Sequence, residues 1–314
     1  MNEIEYECLK KKIQQLIKID LNNYKENQMI HRLDGFITRT KATDVIQYCG
    51  RLENDPAEVT KLRSFITINL SEFYRDQMHF ETLRRDVLPE LLKKNPKLNI
   101  WSAGCSDGEE PYSIAVMLNE LTPGVKHRIF ATDIDKESLS KATAGGPYLA
   151  QEIRNLPPSL LTKYFTASEE GYIVSERIRE RITFTQHDLT RDKFPLGFDL
   201  IICRNVTIYF SNETKRTLSL RFLNALKENG LLFIGATETM LDANDIGFQR
   251  AYPCFYRKSA AAIPVEPRIL SSAAISATSS IWLRWNLLCV AVTISWSGRF
   301  PQHLSARLYG GMPP

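Results

Sequence analysis

The sequence contains few of the residues that build disulfide frameworks or metal centres. Its 314 residues include six cysteines and five histidines. The cysteines form no C-x-x-C pair, and the histidines have no spacing that would combine with them in a zinc site. We therefore expect free thiols in a reducing compartment and no bound metal ion.

A long uninterrupted apolar segment is also missing. The N-terminal stretch MNEIEYECLKKK has no apolar core of the kind that a signal peptide needs, so we expect a cytoplasmic protein with no membrane insertion. The apolar stretch at residues 281–296 is interrupted by Arg284 and Asn286. It is too short and too broken to predict a membrane span.

Neither sign of charge dominates, since the net charge is +4 and no continuous basic tract is present. This near-neutral balance disfavours nucleic acid as a partner. The composition changes at residues 259–314, where one acid, four arginines and no lysine occur. We expect this stretch to be an atypical, disordered tail, or a foreign segment such as a shifted reading frame would add.

Apolar residues recur at helical spacing in residues 1–66, as in Leu9, Ile13, Leu16 and Ile17. This pattern predicts a small all-helical domain. Basic residues slightly outnumber acidic ones here, which a solvated helix face explains. A docking surface for an acidic helical partner is the alternative interpretation.

The stretch Leu98–Leu118 predicts a short buried strand, a turn and an amphipathic helix. Gly104 and Gly108 bracket the turn, where the chain must bend without a Cβ in the way. Pro111 suits the first turn of a helix. A strand, a glycine turn and a helix in this order are typical of a nucleotide-type pocket.

The turn carries Asp107, Glu109 and Glu110 and has no lysine of the kind found in phosphate loops. Three carboxylates favour a cation, so S-adenosylmethionine (SAM), with its ammonium and sulfonium groups, fits this turn. The simpler alternative is that these acids only stabilise the start of the helix.

The first strand is predicted at residues 98–103, further apolar strands at residues 128–132, 182–186, 198–203 and 231–235, and a hairpin at residues 248–258. Helices are predicted at residues 78–92 and 136–144, and Asn229-Gly230 predicts a turn before the strand that starts at residue 231. Polar residues follow several of these strands. Open α/β sheets bind ligands at the carboxyl ends of their strands, and an acid after the second strand, here Asp133, meets ribose hydroxyls. Residues 145–181 interrupt the alternation and predict an inserted β-subdomain.

Four stretches, taken in order, resemble the CheR-type methyltransferases that methylate glutamates of bacterial chemotaxis receptors. They are Asn69-x-Ser71-x-Phe73-x-Arg75, Ser102–Ser113, Ala131–Asp135 and Cys203–Phe210. The resemblance covers about residues 5–258 and implies a Rossmann-like class I SAM-dependent methyltransferase sheet with an N-terminal helical domain and a small inserted β-subdomain. The implied domains are residues 1–66 and 67–258, followed by the tail.

The resemblance also implies roles for individual residues. Arg75 and Tyr209 would flank the methyl group as catalytic residues. One of Glu109 and Glu110, which the sequence does not separate, would contact the amino-acid end of SAM. The remaining implied cofactor-binding residues are Asn69, Ser71, Arg75, Asp133, Asp188, Leu189, Arg204 and Asn205.

The implied reaction gives glutamate methyl esters and S-adenosylhomocysteine. The implied partners are the cytoplasmic helical domains of methyl-accepting chemotaxis receptors, to which a monomeric enzyme would be recruited at membrane-bound arrays. A non-catalytic SAM-binding signalling module is the alternative. A nucleic-acid amino-methylase is disfavoured, because Arg204-Asn-Val-Thr stands where such enzymes have Asn/Asp-Pro-Pro-Tyr/Phe.

Two residues depart from the family pattern. Asp107 stands where the family commonly has a small hydroxyl or similar residue, which could alter the shape of the loop or its affinity for SAM. Ser71 replaces the common threonine and keeps the hydroxyl.

Overall fold

A computed structural model describes residues 1–40, 42–67, 71–240 and 242–259. The tail predicted from the composition therefore lies, from residue 260 onward, outside the described residues. None of the helices in the described ranges has both the length and the apolar character that crossing a bilayer requires.

The N-terminal region is helical, as the apolar spacing predicts. Its helices are α1 (Glu3–Leu16), α2 (Glu26–Thr38), α3 (Val45–Asn54) and α4 (Pro56–Thr67), with a 3₁₀ turn at Leu21–Asn23. The side chains of Tyr6, Leu9 and Ile13 form the buried face of α1. A capping box between Asn2 and Glu5 satisfies backbone groups at the start of this helix.

The second region is built on a mostly parallel seven-stranded sheet. Its strands are β1 (Asn99–Ala103), β2 (Arg128–Asp133), β5 (Ile182–Gln186), β6 (Phe198–Cys203), β7 (Leu226–Ile234), β8 (Phe248–Tyr252) and β9 (Phe255–Lys258). The strand order is β5-β2-β1-β6-β7-β9-β8, and only the β7–β9 and β8–β9 pairs are antiparallel. This arrangement confirms the predicted Rossmann-like sheet with a terminal hairpin.

Helices accompany this sheet, some before its first strand in the chain and the others between successive strands. They are α5 (Gln77–Thr82), α6 (Leu88–Lys94), α7 (Glu109–Leu121), α8 (Lys136–Ala144), α11 (Asn212–Ala225) and α12 (Ala243–Ile246). Successive residues of β1 face opposite sides of the sheet. Ile100 belongs to one buried cluster and Trp101 to the other, so the sheet separates two apolar cores.

The insertion holds a two-stranded antiparallel sheet of β3 (Phe165–Ser168) and β4 (Gly171–Val174), flanked by α9 (Pro158–Tyr164) and α10 (Glu176–Arg179). An isolated bridge between Tyr148 and Tyr172 extends this pairing. The inserted β-subdomain predicted from the broken strand–helix alternation is therefore present.

Two elements differ from the sequence expectation. The helix predicted at residues 78–92 contains a π-helical segment at Leu83–Val87 between α5 and α6. The strand predicted to start at residue 231 starts at Leu226, since Leu226 already pairs with Phe198. Asn229, predicted to turn the chain before the strand, adopts a positive φ of 59° inside it and forms part of an irregularity in the pairing.

A short antiparallel contact joins the helical region to the sheet region. The backbone N–H of Lys25 donates to the carbonyl oxygen of Tyr209, and that of Ser211 donates to Asn23, both at 2.9 Å. Between them, the rings of Tyr24 and Phe210 meet edge to face with centroids 5.0 Å apart. The start of α2 is thereby fixed to the segment that precedes α11.

Candidate functional site

A cleft lies at the carboxyl ends of β1, β2 and β6. This is the edge at which open α/β sheets bind ligands. Of the site residues predicted from the sequence, the cleft is lined by Ser71, Arg75, Glu110, Asp133, Asp188, Leu189, Arg204, Asn205 and Tyr209. Asn69 lies outside the described residues.

Asp133 ends β2 and is 9% exposed. Its carboxylate accepts hydrogen bonds from the backbone N–H groups of Ser106 at 2.8 Å and Asp135 at 3.0 Å. Burial raises the pKa of Asp133 to about 6, against the opposing effect of these hydrogen bonds. Each oxygen keeps a further lone pair, so the group is able to accept hydrogen bonds from ligand hydroxyls.

The turn after β1 approaches the loop after β6 closely at Gly104. Gly104 has a φ of +86°, and a Cβ at this position would lie 2.4 Å from Cγ2 of Val206. A residue without a side chain is therefore required here by both conformation and space. This close approach brings the glycine turn and the Arg204–Asn205 segment to the same cleft.

Glu110 faces the cleft from the first turn of α7. Its Oε1 accepts a hydrogen bond from Oγ of Ser102 at 2.8 Å, and its Oε2 lies 3.4 Å from Nη1 of Arg204. Burial raises the pKa of Glu110, while the Arg204 charge opposes this shift. The carboxylate is thus held in place by β1 and by the loop after β6.

The side chain of Arg204 is buried, with 2% of its surface exposed. Its guanidinium carbon lies 5.3 Å from the ring centroid of Phe80 and 4.8 Å from that of Phe233. Besides Glu110, the guanidinium pairs with the carboxylate of Asp76. It therefore connects the loop after β6 to the segment that precedes α5.

Glu109, next to Glu110, points in a different direction. It is 1% exposed, it accepts a hydrogen bond from Ser71, and burial raises its pKa to about 8. It is not among the residues that line the cleft, although Ser71 is. The structure thus separates the two neighbouring glutamates by position: Glu110 faces the cleft and Glu109 lies behind it.

Asp107 also lies away from the cleft, paired with Lys141 of α8 at 3.0 Å. The same lysine lies 2.8 Å from Glu152, and one oxygen each of Asp107, Glu109 and Glu152 lie within 4.8 Å of one another. Of the three carboxylates on this turn, Glu110 is among the residues that line the cleft, and Asp107 and Glu109 are not. Lys141 supplies a positive charge that balances this acidic cluster.

Asp188 and Leu189 follow β5. One carboxylate oxygen of Asp188 accepts hydrogen bonds from the backbone N–H and the hydroxyl of Thr190, at 2.8 Å and 2.7 Å. Leu189 is 8% exposed and packs in the core cluster that contains Trp101. The side of the cleft formed by Asp188 and Leu189 therefore combines a fixed carboxylate with an apolar surface.

Glu238 was missed by the sequence reasoning. It is buried after β7, and its carboxylate accepts hydrogen bonds from the backbone N–H groups of Gly235, Asn205 and Thr207 and from the Thr207 hydroxyl. It therefore fixes the loop that carries Arg204 and Asn205. No local motif marks it, because its partners in that loop lie about thirty residues earlier in the chain.

Two further cleft residues carry buried polar atoms that find no hydrogen-bond partner within the described part of the chain. They are Oγ of Ser106 and Nδ1 of His187. Buried polar atoms are normally satisfied. With the acidic and apolar walls, they make this cleft suited to a ligand that combines a cation, hydroxyl groups and an aromatic ring, as SAM does.

Tyr209 ends a short 3₁₀ turn at Thr207–Tyr209, and it lines the same cleft as Arg75. The backbone contact between Lys25 and Tyr209 fixes the turn to the helical region. The cleft therefore brings the two predicted catalytic side chains together with the predicted cofactor-binding residues. The individual roles of these residues stay predictions.

Two family models match the chain. Residues 69–251 match the model described as the SAM binding domain of CheR methyltransferase, and residues 4–67 match its all-alpha domain. The two matches divide the chain close to the end of α4.

Curated relatives agree with these matches. The chain is 36% identical over 259 residues to a chemotaxis protein methyltransferase of Listeria monocytogenes, covering 82% of this chain and 98% of that protein. It is 34% identical to one of Borreliella burgdorferi, with coverages of 80% and 95%, and 33% identical to one of Escherichia coli, with coverages of 76% and 85%. The chain belongs to the CheR family of SAM-dependent methyltransferases.

Proposed function

We propose that the chain transfers the methyl group of SAM to glutamate side chains in the cytoplasmic helical domains of methyl-accepting chemotaxis receptors. The products are glutamate methyl esters, which serve sensory adaptation, and S-adenosylhomocysteine. One observation carries this proposal: the carboxylates of Glu110 and Asp133 line the same cleft as Arg75 and Tyr209. Membership of the CheR family supports the choice of cofactor and acceptor.

The cofactor is held by groups on several elements. Glu110 contacts its amino-acid end, and Asp133 binds the ribose hydroxyls. Arg204 and Asn205 line the methionine end. The adenine side is formed by the Asp188–Leu189 pair, and Ser71 approaches from the junction with the helical domain. Asn69 is assigned to the cofactor by the family resemblance alone.

When bound, SAM supplies a methyl group on a positively charged sulfur. The acceptor glutamate, with an ordinary pKa of about 4.3, is already ionised at neutral pH, so the protein needs no general base. General acid–base catalysis contributes about 10²–10⁴-fold, whereas orienting two reactants contributes roughly 7–11 kcal/mol. The main task of the site is therefore to position the acceptor.

Arg75 and Tyr209 perform this positioning. The planar guanidinium of Arg75 binds the incoming carboxylate through two parallel hydrogen bonds. Tyr209 presents its hydroxyl or its ring face to the positively charged sulfur and methyl group. The enzyme works in the cytoplasm as a monomer and is recruited to the membrane-bound receptor arrays that carry its substrates.

The test is to incubate the protein with methyl-labelled SAM and receptor cytoplasmic fragments. We expect label in the fragments that is released by mild alkali, as a carboxyl methyl ester is. Label that resists alkali would indicate another acceptor. SAM binding without any transfer would favour the alternative of a non-catalytic signalling module.

A further inference from the structure

Arg32 of α2 reaches from the helical region to Tyr209. Its guanidinium carbon lies 5.4 Å from the centroid of the Tyr209 ring and 5.1 Å from that of Phe65. Its Nη2 donates a hydrogen bond to the carbonyl oxygen of Phe65 at 2.6 Å. Arg32 is not among the residues that line the cleft, so it contacts Tyr209 from behind the cleft wall.

Burying the guanidinium of Arg32 costs desolvation free energy. Nη1 of Arg32 is buried and, within the described part of the chain, has no hydrogen-bond partner, and no carboxylate there forms an ion pair with this residue. Burial lowers the pKa of Arg32. The ring faces of Phe65 and Tyr209 offset part of the desolvation cost, since a cation over an aromatic ring gains about 0.5–2 kcal/mol.

The same helix also fixes the backbone of Tyr209. Lys25, immediately before α2, donates its N–H to the carbonyl oxygen of Tyr209. Arg32 lies about two helical turns further along. Because α2 is a continuous helix of 13 residues, one rigid element sets both the backbone and the ring of Tyr209.

We propose that Arg32 is a positioning residue for methyl transfer, which holds the ring of Tyr209 in the orientation that flanks the reacting methyl group. This inference rests on the proposed function, in which Tyr209 has that role. It assigns to the helical domain a part in the chemistry besides any contact with receptors. A shift of a reacting group by about 1 Å costs up to roughly 10²-fold in rate, so loss of this support should be visible in turnover.

The test is a double-mutant cycle of Arg32→Met and Tyr209→Ala in the full chain. Single-turnover methyl transfer to receptor fragments is measured together with SAM binding by calorimetry. Arg32→Met should lower the transfer rate about 10- to 100-fold, while the Kd for SAM stays within about twofold. In the Tyr209→Ala background the same change should cause no further loss, since residues that act as a unit are non-additive.

Arg39→Met is the matched control, because Arg39 lies over Phe65 at 5.9 Å and makes no such contact with Tyr209. The fold-change in transfer rate caused by Arg39→Met should be the same in the wild-type and Tyr209→Ala backgrounds. Arg32→Lys keeps a cation behind the ring but loses the planar fork, so its rate should lie between those of the wild type and Arg32→Met. This variant also decides the question if Arg32→Met fails to fold.

Equal fold-losses for Arg32→Met with and without the Tyr209 ring would overturn the inference. So would a rate for Arg32→Lys as low as for Arg32→Met, measured on variants with the wild-type melting temperature. These failures are distinct from failure of the proposed function, which would appear as no alkali-labile label with the wild-type chain. Full turnover by Tyr209→Ala would refute both the role of Tyr209 and the inference about Arg32.

Discussion

Arg204 donates a hydrogen bond through Nη2 to the carbonyl oxygen of Arg75 at 3.0 Å. This bond ties the loop after β6 to the segment that carries a predicted catalytic side chain. Arg204 also pairs with Glu110 and Asp76, so one buried guanidinium sets the position of groups on α7 and on the segment that precedes α5. Arg204 therefore connects the residues proposed to bind SAM with Arg75, which is proposed to bind the acceptor carboxylate.

Arg204→Lys should weaken this link while keeping the charge. An ammonium group cannot reproduce the geometry of a planar fork between two aromatic rings, so we expect a loss of about 1–3 kcal/mol in the free energy of unfolding. SAM affinity should fall with it. Urea denaturation and calorimetric titration measure the two effects.

Arg216→Lys is the control for that change. Arg216 forms an exposed ion pair with Asp242 at 3.2 Å, and exposed pairs contribute about 0–1 kcal/mol. A stability loss for Arg204→Lys no larger than for Arg216→Lys would show that the contacts of Arg204 with Asp76 and Glu110 do not stabilise the fold.

Glu238→Gln should disturb the loop at Asn205 and Thr207. The carboxylate of Glu238 accepts four hydrogen bonds, whereas a glutamine presents an NH₂ group to some of the same donors. Leaving buried donors unpaired costs about 1–3 kcal/mol each. We expect a lower midpoint of urea denaturation and weaker SAM binding, with the exposed Glu228→Gln as control, and equal midpoints for the two variants would contradict this.

Glu109 makes stability depend on pH. Its pKa is raised by burial to about 8 in the folded protein, so the folded state keeps a proton that the unfolded state releases above its ordinary value of 4.5. The free energy of unfolding should therefore fall as pH rises between these two values. The slope approaches about 1.4 kcal/mol per pH unit within this range and vanishes above it.

Urea denaturation from pH 5.5 to 9 measures this effect as the difference between the wild type and Glu109→Gln. Glutamine is neutral throughout, so contributions of other titrating groups cancel in the difference. A difference that stays constant across the range would contradict the burial of a protonated Glu109.

Gly104→Ala should displace Val206, because the new Cβ would lie 2.4 Å from Cγ2 of that residue. We expect reduced thermal stability and weaker SAM binding. Adding Val206→Ala removes Cγ1 and Cγ2 and leaves its Cβ at 3.6 Å, so part of the loss should be recovered. The cost of the positive φ, about 1–2 kcal/mol, should remain. No recovery in the double variant would show that the clash with Val206 is not the cause.

Much of the fold could be predicted because short apolar segments end in polar residues. The helix at residues 136–144 and the strands at residues 182–186 and 198–203 agree with the structure, and the first two strands differ by one residue at one end. The start of β7 could not be predicted, since Asn229-Gly230 is a typical turn signal and only pairing with Phe198 keeps the segment in the sheet.

The site was less predictable than the fold. Glu109 and Glu110 are adjacent, and the sequence gives no reason why one faces the cleft, because this depends on how α7 is rotated against β1. Glu238 and Arg32 act on loops far away in the chain, through contacts that form only in the folded state. No local motif could have indicated either residue.

The most direct test of the central claim compares SAM binding with methyl transfer in Arg75→Ala, Tyr209→Phe and Asp133→Ala. We predict that the first two variants keep the wild-type heat of SAM binding but lose transfer to receptor fragments, and that Asp133→Ala binds SAM more weakly. Near-normal transfer by Arg75→Ala and Tyr209→Phe, together with an unchanged titration for Asp133→Ala, would contradict the account.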